Sequence, residues 1–580
     1  MNIRRFALLL VFGPILAQAP QGTIEGRVRG PLGEPVPNVE VVATHDPRNA
    51  AVLAKTRTDG EGMFVIGRLP TDRGCLVLTS LPGHTTAGEY ASLSATTPHA
   101  GLELRLWEAN TLRGRVVDPQ GAPVVDAVVL GTKDYTWFAG AFRPPETRTD
   151  AKGAFELPGV PLGDCVVRVW KPGFLLWEHD LVATEDKTLE VQLAPGEGTQ
   201  LAVYARGLPD ESFAQTTVHV HATRRGSGFS LPSTIEKNTL DARGRFSMQG
   251  LPNAEWNVEL AAPGYTFDPR SVRTKEGQFV SVLPFVASAD GEITLRGTLR
   301  STDGKPLANQ RLISRTQRSQ SINGGRPGSA TTDAEGRFVL QAPLVKDEPY
   351  SLFLIDSTWA LQQPTQGMGG FDLRYGVRWQ EKADPTRELA LVAAPAAFVT
   401  ARLVDPDGKP MPFVWTELQG YRENVHPPWG AVAYATSRRD GTLEFPGVHG
   451  SDIDLRVHAS GAGGTGDSEP FRLGAGKRHE VQVVVQRPGV VRGMVLDEAG
   501  KPIVGARISL SNWNTATGQQ TDGGWSNVPS DRNGRFVFTG VAPGGHRVGS
   551  GRHTIHGKGA GEIFEVAAGA TVDVELRLSR

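Results

Sequence analysis

Cysteine is almost absent from this chain: Cys75 and Cys165 are the two in 580 residues. They fall at matching places in neighbouring stretches, after RLPTDRG and GVPLGD. Equivalent points of adjacent domains lie a whole domain apart, beyond disulfide reach, so two separate buried thiols are expected. Stability then has to come from packing alone. An excess of one charge sign is missing too, with 61 Lys+Arg against 62 Asp+Glu and no basic block, which excludes a nucleic-acid-binding face. No later apolar run is long enough for a bilayer. The longest, Leu389 to Ala401, carries Pro395 and reads as two strands meeting at a boundary.

Catalytic and cofactor signatures are lacking as well. HExxH, GxSxG and GxxxxGK[ST] do not occur, and none of the 13 His has a Glu three residues later, the spacing from which zinc carboxypeptidases draw two ligands. GAGGTG (Gly461 to Gly466) fits a dinucleotide loop, but no helix follows it to hold a phosphate. His219 and His221 share one strand face without a third ligand, and His546, His553 and His556 cluster near the C-terminus as turn or loop residues. His449 sits in a solvated turn, and DPDG at Asp405 lacks the later ligands of a calcium loop. The expectation is no catalytic residue, no metal and no cofactor.

What is present begins with MNIRRFALLLVFGPILAQAP, a charged start followed by an apolar core too short to span a bilayer. It reads as a signal peptide over residues 1–17, with cleavage leaving Gln18 first, and implies export with no membrane span in the mature chain. Beyond it one motif recurs six times, clearest as TRTDAKGAFELPGV from Thr147. Its apolar anchors at Phe64, Phe155, Phe246, Phe338, Leu443 and Phe536 stand 91, 91, 92, 105 and 93 residues apart. Such a period means tandem domains. The boundaries expected are 22–107, 110–195, 198–288, 291–393, 396–486 and 488–580, called repeats 1 to 6 below. Repeat 3 is degenerate, and repeat 4 carries a long insertion over Ser357 to Pro385.

Each repeat holds two turn devices. In repeat 2 the first is DPQGAP, where Asp118 opens the turn, Gly121 takes a positive φ and Pro123 starts the next strand; DEAGKP at Asp497, DPDGKP at Asp405 and TDGKP at Thr302 repeat it. In the second, Asp150 caps backbone amides, Gly153 supplies the bend, and Phe155 and Leu157 then alternate onto one strand face. Short alternating strands with frequent turns and no helical period predict an all-β chain, a tandem array of about six Ig-like or transthyretin-like β-sandwiches.

GRVVDPQGAPVVDAVV from Gly114 and GMVLDEAGKPIVGARI from Gly493, each followed by the Gly-x-Phe turn, resemble the carboxypeptidase regulatory-like domain, most closely in repeats 1, 2 and 6. The pattern is similar to B-type repeats of Gram-positive adhesins and to starch-binding-like domains. The resemblance implies a transthyretin-like, carbohydrate-binding-like sandwich that accompanies enzymes and has no activity of its own.

Aromatic residues gather in the connections between the second strand and the second turn. Tyr135 and Trp137 lie in that of repeat 2, Trp415, Tyr421 and Trp429 in repeat 5, and Trp513 and Trp525 in repeat 6. Loops at sandwich ends commonly carry binding, and exposed Trp and Tyr offer large area for stacking. These seven are the candidate ligand residues, with a polysaccharide or a surface protein as partner. Very short linkers such as LWEANTLRG predict a stiff rod holding a binding surface away from the cell. An envelope spacer without ligand and an accessory chain to an exported hydrolase are the competing readings.

Overall fold

The computed structural model describes residues 21–579 apart from internal stretches, the longest being 133–144, 231–238, 316–328, 363–380, 422–430 and 551–558. The expected signal segment, Tyr135, Trp137, Trp429, Trp525, His449, His553, His556 and most of the insertion in repeat 4 lie outside the described residues.

Repeat 2 shows how one unit is built. The strand Ala109–Val117 pairs antiparallel with Ala154–Pro161 and parallel with Lys187–Gln192. A second sheet runs in the order Glu146–Arg148, Val128–Thr132, Gly163–Trp170, Trp177–Ala183. Alternation along both sheets sends Leu112, Val116, Val129, Phe155, Leu157, Val167 and Val191 into the space between them. The parallel pairing of first and last strands recurs in all six repeats, from Gln21–Arg29 with His99–Arg105 to Gly489–Asp497 with Thr571–Leu578. Each repeat is therefore closed by its own two ends. The two cysteines are buried in different cores, Cys75 in that of repeat 1 and Cys165 in that of repeat 2.

The turn chemistry follows the sequence closely. Asp118 Oδ1 accepts from the amides of Gln120 and Ala122, and Gly121 has a φ of 82°. Asp150 Oδ1 accepts at 2.8 Å from both Lys152 and Ala154. Asp59, Asp241, Asp333 and Asp531 cap in the same way. In repeat 5 Arg438 stands at the capping position, and Asp440, two residues later, caps the amide of Thr442 instead. Repeat 3 lacks the first turn, and a one-turn helix, Asp210–Phe213, stands there with Phe213 buried in the core.

The residue before the capping Asp has its own role. Thr149 Oγ1 accepts from the Ala127 amide at 2.8 Å and donates to the Val124 carbonyl at 2.7 Å. Thr58, Thr332, Ser437 and Ser530 make the equivalent pair of bonds. A buried hydroxyl thus pins the turn to the start of the second sheet in five repeats.

The rod expected from the short linkers is not what forms. The junction of repeats 1 and 2 carries Trp107, an apolar side chain that a solvated linker would leave in water. It is buried in the cluster of Val491, Ile503, Phe536 and Val548 in repeat 6. Around it, Arg105 donates to the carbonyls of Pro31 at 2.8 Å and Val537 at 2.9 Å. Arg532 of repeat 6 donates its amide to the Glu108 carboxylate at 3.0 Å and its guanidinium to the Ala109 carbonyl at 2.9 Å. Repeat 1 also meets repeat 5, with the Arg27 guanidinium 5.5 Å from the Phe413 ring centre. The chain folds back so that its first two repeats lie against its last two.

Candidate binding face

The second sheet of each sandwich has an outer side that the core does not use, and the repeats treat it differently. In repeat 2, Val128, Leu130 and Trp170 point outward and are buried against the core residues of repeat 3. Val128 lies five residues after Pro123, and the residue five after Pro410 in repeat 5 is Trp415. Trp415 is 47% exposed, the largest exposed aromatic ring system among the described residues. The same sheet side is an interface in one repeat and open in the other.

Strand register assembles the rest of this face. Along Trp415–Tyr421, Thr416 and Leu418 are buried inward, so Trp415, Glu417 and Gln419 share the outward side. Tyr434 stands opposite Glu417 on the neighbouring strand Ala431–Thr436, and its ring centre lies 5.2 Å from that of Trp415 at an interplanar angle of 34°. On the other flank His458 is opposite Glu417 and Arg456 is opposite Gln419. Asp467 in turn faces His458.

These polar groups form a connected network. Gln419 donates to the Glu417 carboxylate at 2.7 Å and accepts from the Arg456 guanidinium at 3.2 Å. Asp467 holds His458 Nδ1 at 2.7 Å and lies 3.6 Å from Arg456. Burial pushes the Asp467 carboxyl up, but its bond to His458 and the nearby charges of His458 and Arg456 outweigh that and keep it below its ordinary value. Beyond the network, Arg472 donates to Asp454 at 2.7 Å. The result is a tilted aromatic pair beside a row of fixed donors and acceptors whose charges nearly balance.

Trp513 in repeat 6 is half-buried. Its indole N–H donates to Ser511 Oγ at 2.8 Å, and the Arg547 guanidinium stacks 4.9 Å from the ring centre. Tyr421 ends the strand that begins at Trp415. His546 is buried in repeat 6, with Nε2 2.7 Å from the Ala542 carbonyl. No cluster of three or more His, Cys, Asp or Glu able to hold a metal occurs among the described residues. Sequence reasoning missed Tyr434, Glu417, Gln419, Arg456, His458 and Asp467. Alternation in WTELQ was the available signal for the first strand's share; the remainder comes from cross-strand register.

A family model, the carboxypeptidase regulatory-like domain, matches residues 23–106, 111–195 and 490–579. No curated protein matches the chain. Among solved structures, the minor pilin GBS52 of Streptococcus agalactiae is similar at 13% identity over 32% of this chain and 96% of that one, with a TM-score of 0.21. The Bacillus anthracis TIE protein is similar at 12% identity over 72% of this chain and 71% of its own, with a TM-score of 0.15. The shaft pilin SpaA of Lactobacillus rhamnosus GG is similar at 12% identity over 30% of this chain and 98% of its own, also at 0.15.

Proposed function

We propose, for a chain that in repeats 1, 2 and 6 belongs to the carboxypeptidase regulatory-like domains, that it is an exported, non-catalytic carbohydrate-binding protein whose repeat 5 presents the Trp415 face to a polysaccharide. The observation that carries the reading is the exposed Trp415 with the half-buried Tyr434 against it, beside the Glu417, Gln419, Arg456, His458 and Asp467 network. A sugar ring has one face of C–H groups that stacks on an aromatic surface and a rim of hydroxyls that needs paired donors and acceptors. The exposed Trp415 ring, braced by Tyr434 beside a pre-ordered polar row, supplies both, with little side-chain entropy left to lose on binding. Two guanidinium groups and a histidine stand among three carboxylates, Glu417, Asp454 and Asp467, so neither strong anions nor strong cations are selected. A neutral polysaccharide fits best. The charged start and short apolar run of residues 1–17, read as a signal peptide, support export, and no helix among the described residues is long and apolar enough to cross a membrane.

The test is native gel electrophoresis of the chain in gels cast with neutral and charged polysaccharides, beside Trp415→Ala and Asp467→Asn. One neutral polymer should retard the chain, and Trp415→Ala should abolish the retardation without changing the melting temperature. Asp467→Asn should weaken it. Retardation by no polymer, or retardation indifferent to Trp415, would sink the reading and move the weight to a spacer or to an accessory chain that binds an exported hydrolase.

A further inference from the structure

One backbone position separates repeats 5 and 6 from the others. Three residues after the proline of the first turn, the chain takes a left-handed conformation in five repeats: Asn38 (φ 56°), Asp126 (57°), Asn309 (58°), Phe413 (57°) and Gly505 (67°). Asn and Asp are the side chains that tolerate this region best, and in repeats 1, 2 and 4 they occupy it and are exposed. Phenylalanine there is strained and persists only where the surroundings hold it. Phe413 is buried, and so is Gly505.

What buries them is the other end of the chain. Phe413 is covered by repeat 1: the Arg27 guanidinium stacks on its ring, and a methyl at Gly101 would lie 3.4 Å from it and 2.6 Å from the Ser437 carbonyl. Nearby, the Arg439 amide donates to the Glu25 carboxylate at 3.4 Å. Gly505 is covered by repeat 2, so closely that a side chain at Gly505 would strike the backbone of Leu162 and Gly163, and one at Gly163 would strike the Gly505 carbonyl. The one bulky residue and the one missing side chain at this position sit at two contacts of the folded-back chain, with Trp107 buried in the repeat 6 core and Arg105 and Arg532 bonding across.

We infer that Phe413 and Gly505 are specificity residues of an intramolecular clamp, through which repeats 1 and 2 bind repeats 5 and 6 and hold the chain closed. The partner of this surface is the same chain. Closure does not depend on any ligand and does not rest on the carbohydrate reading. It makes the molecule a closed platform on which the Trp415 face, two residues from Phe413, is held at a fixed angle by repeat 1.

The local chemistry offers a test that leaves each sandwich intact. The double variant Phe413→Asn, Gly505→Asn gives repeats 5 and 6 the residue that repeats 1 and 4 already carry, so the turns keep a favoured residue while the clamp loses its knob and its gap. Small-angle scattering of the full wild-type chain should give a maximum dimension of two or three sandwiches, and the double variant should lengthen it by about twofold with circular dichroism unchanged. With a specific protease site inserted at the junction of repeats 3 and 4, residues 290–291, the cleaved wild-type halves should co-elute on gel filtration and the cleaved double-variant halves should separate. A wild-type chain that scatters as an extended string, halves that part on cleavage, or a double variant as compact as wild type would each overturn the clamp. So would a scattering mass that doubles with concentration and is lost in the variant, which places the partner in a second copy.

Discussion

The Phe155 ring lies across Gly114, its antiparallel partner on the neighbouring strand, so closely that a methyl at Gly114 would come within 2.7 Å of the ring. Gly26 with Phe64 and Gly493 with Phe536 are paired in the same register, and a methyl at either glycine would strike the facing ring. Repeat 5 breaks both halves of the pair at once, with Ala401 opposite Leu443. A smaller side chain opposite a larger one keeps the volume constant. Repeat 3 pairs Val203 with Phe246 and follows neither arrangement.

Gly114→Ala should therefore overpack repeat 2 and destabilise it by about 1–3 kcal/mol. Phe155→Leu alone should destabilise by leaving space above the glycine. The double variant recreates the pair found in repeat 5 and should recover the part of the loss due to the ring, the Leu189 carbonyl being the other atom a methyl at Gly114 meets, a coupling that a thermal-unfolding double-mutant cycle reads directly. Additive losses would show that the ring and the glycine do not share one volume.

A second prediction concerns the hydroxyl at Thr149. Thr149→Val keeps shape and removes the one group that joins the Ala127 amide to the Val124 carbonyl. Both partners are left in a buried site, so repeat 2 should lose about 1–3 kcal/mol, or roughly 4–20 °C in the melting of a domain of this size. Thr149→Ser should be nearly neutral, because Ser437 and Ser530 make the same bonds in repeats 5 and 6. Equal destabilisation by Val and Ser would assign the effect to the methyl group instead.

These contacts explain what could be read in the chain and what could not. The Gly-x-Phe turn and the glycine of the opening strand recur together because they touch, so the sandwich was visible in the spacing of Phe64, Phe155 and Phe536. The threonine before the capping aspartate was equally visible as a letter, yet its two bonds depend on a strand 22 to 25 residues away. Trp415 stood out as an aromatic residue, whereas Tyr434, Arg456, His458 and Asp467 join it only through pairing of four strands. The fold-back is the furthest from view. Its contacts join residues more than 300 positions apart, and its trace in the sequence is the departure from Asn or Asp at two positions, Phe413 and Gly505.

The last prediction follows from the thiols. Burial pushes Cys75 up to about 11, because the repeat 1 core solvates a thiolate poorly. The unfolded chain gives up that proton near the ordinary thiol value of about 8.5, whereas the folded chain keeps it until about 11. In that window the folded state binds more protons than the unfolded one, so stability is full below about pH 8.5 and falls as pH rises toward 11. Melting of repeat 1 should drop over this range, and Cys75→Ala should remove that part of the slope. The same burial predicts that a thiol reagent at pH 8 modifies neither Cys75 nor Cys165 in the folded chain and both in denaturant, since the thiolate is the reacting species and both side chains are almost fully buried. Rapid modification of Cys75 at pH 8 in the native chain would mean that the repeat 1 core opens on the timescale of the reaction, and the pH slope should then vanish with it.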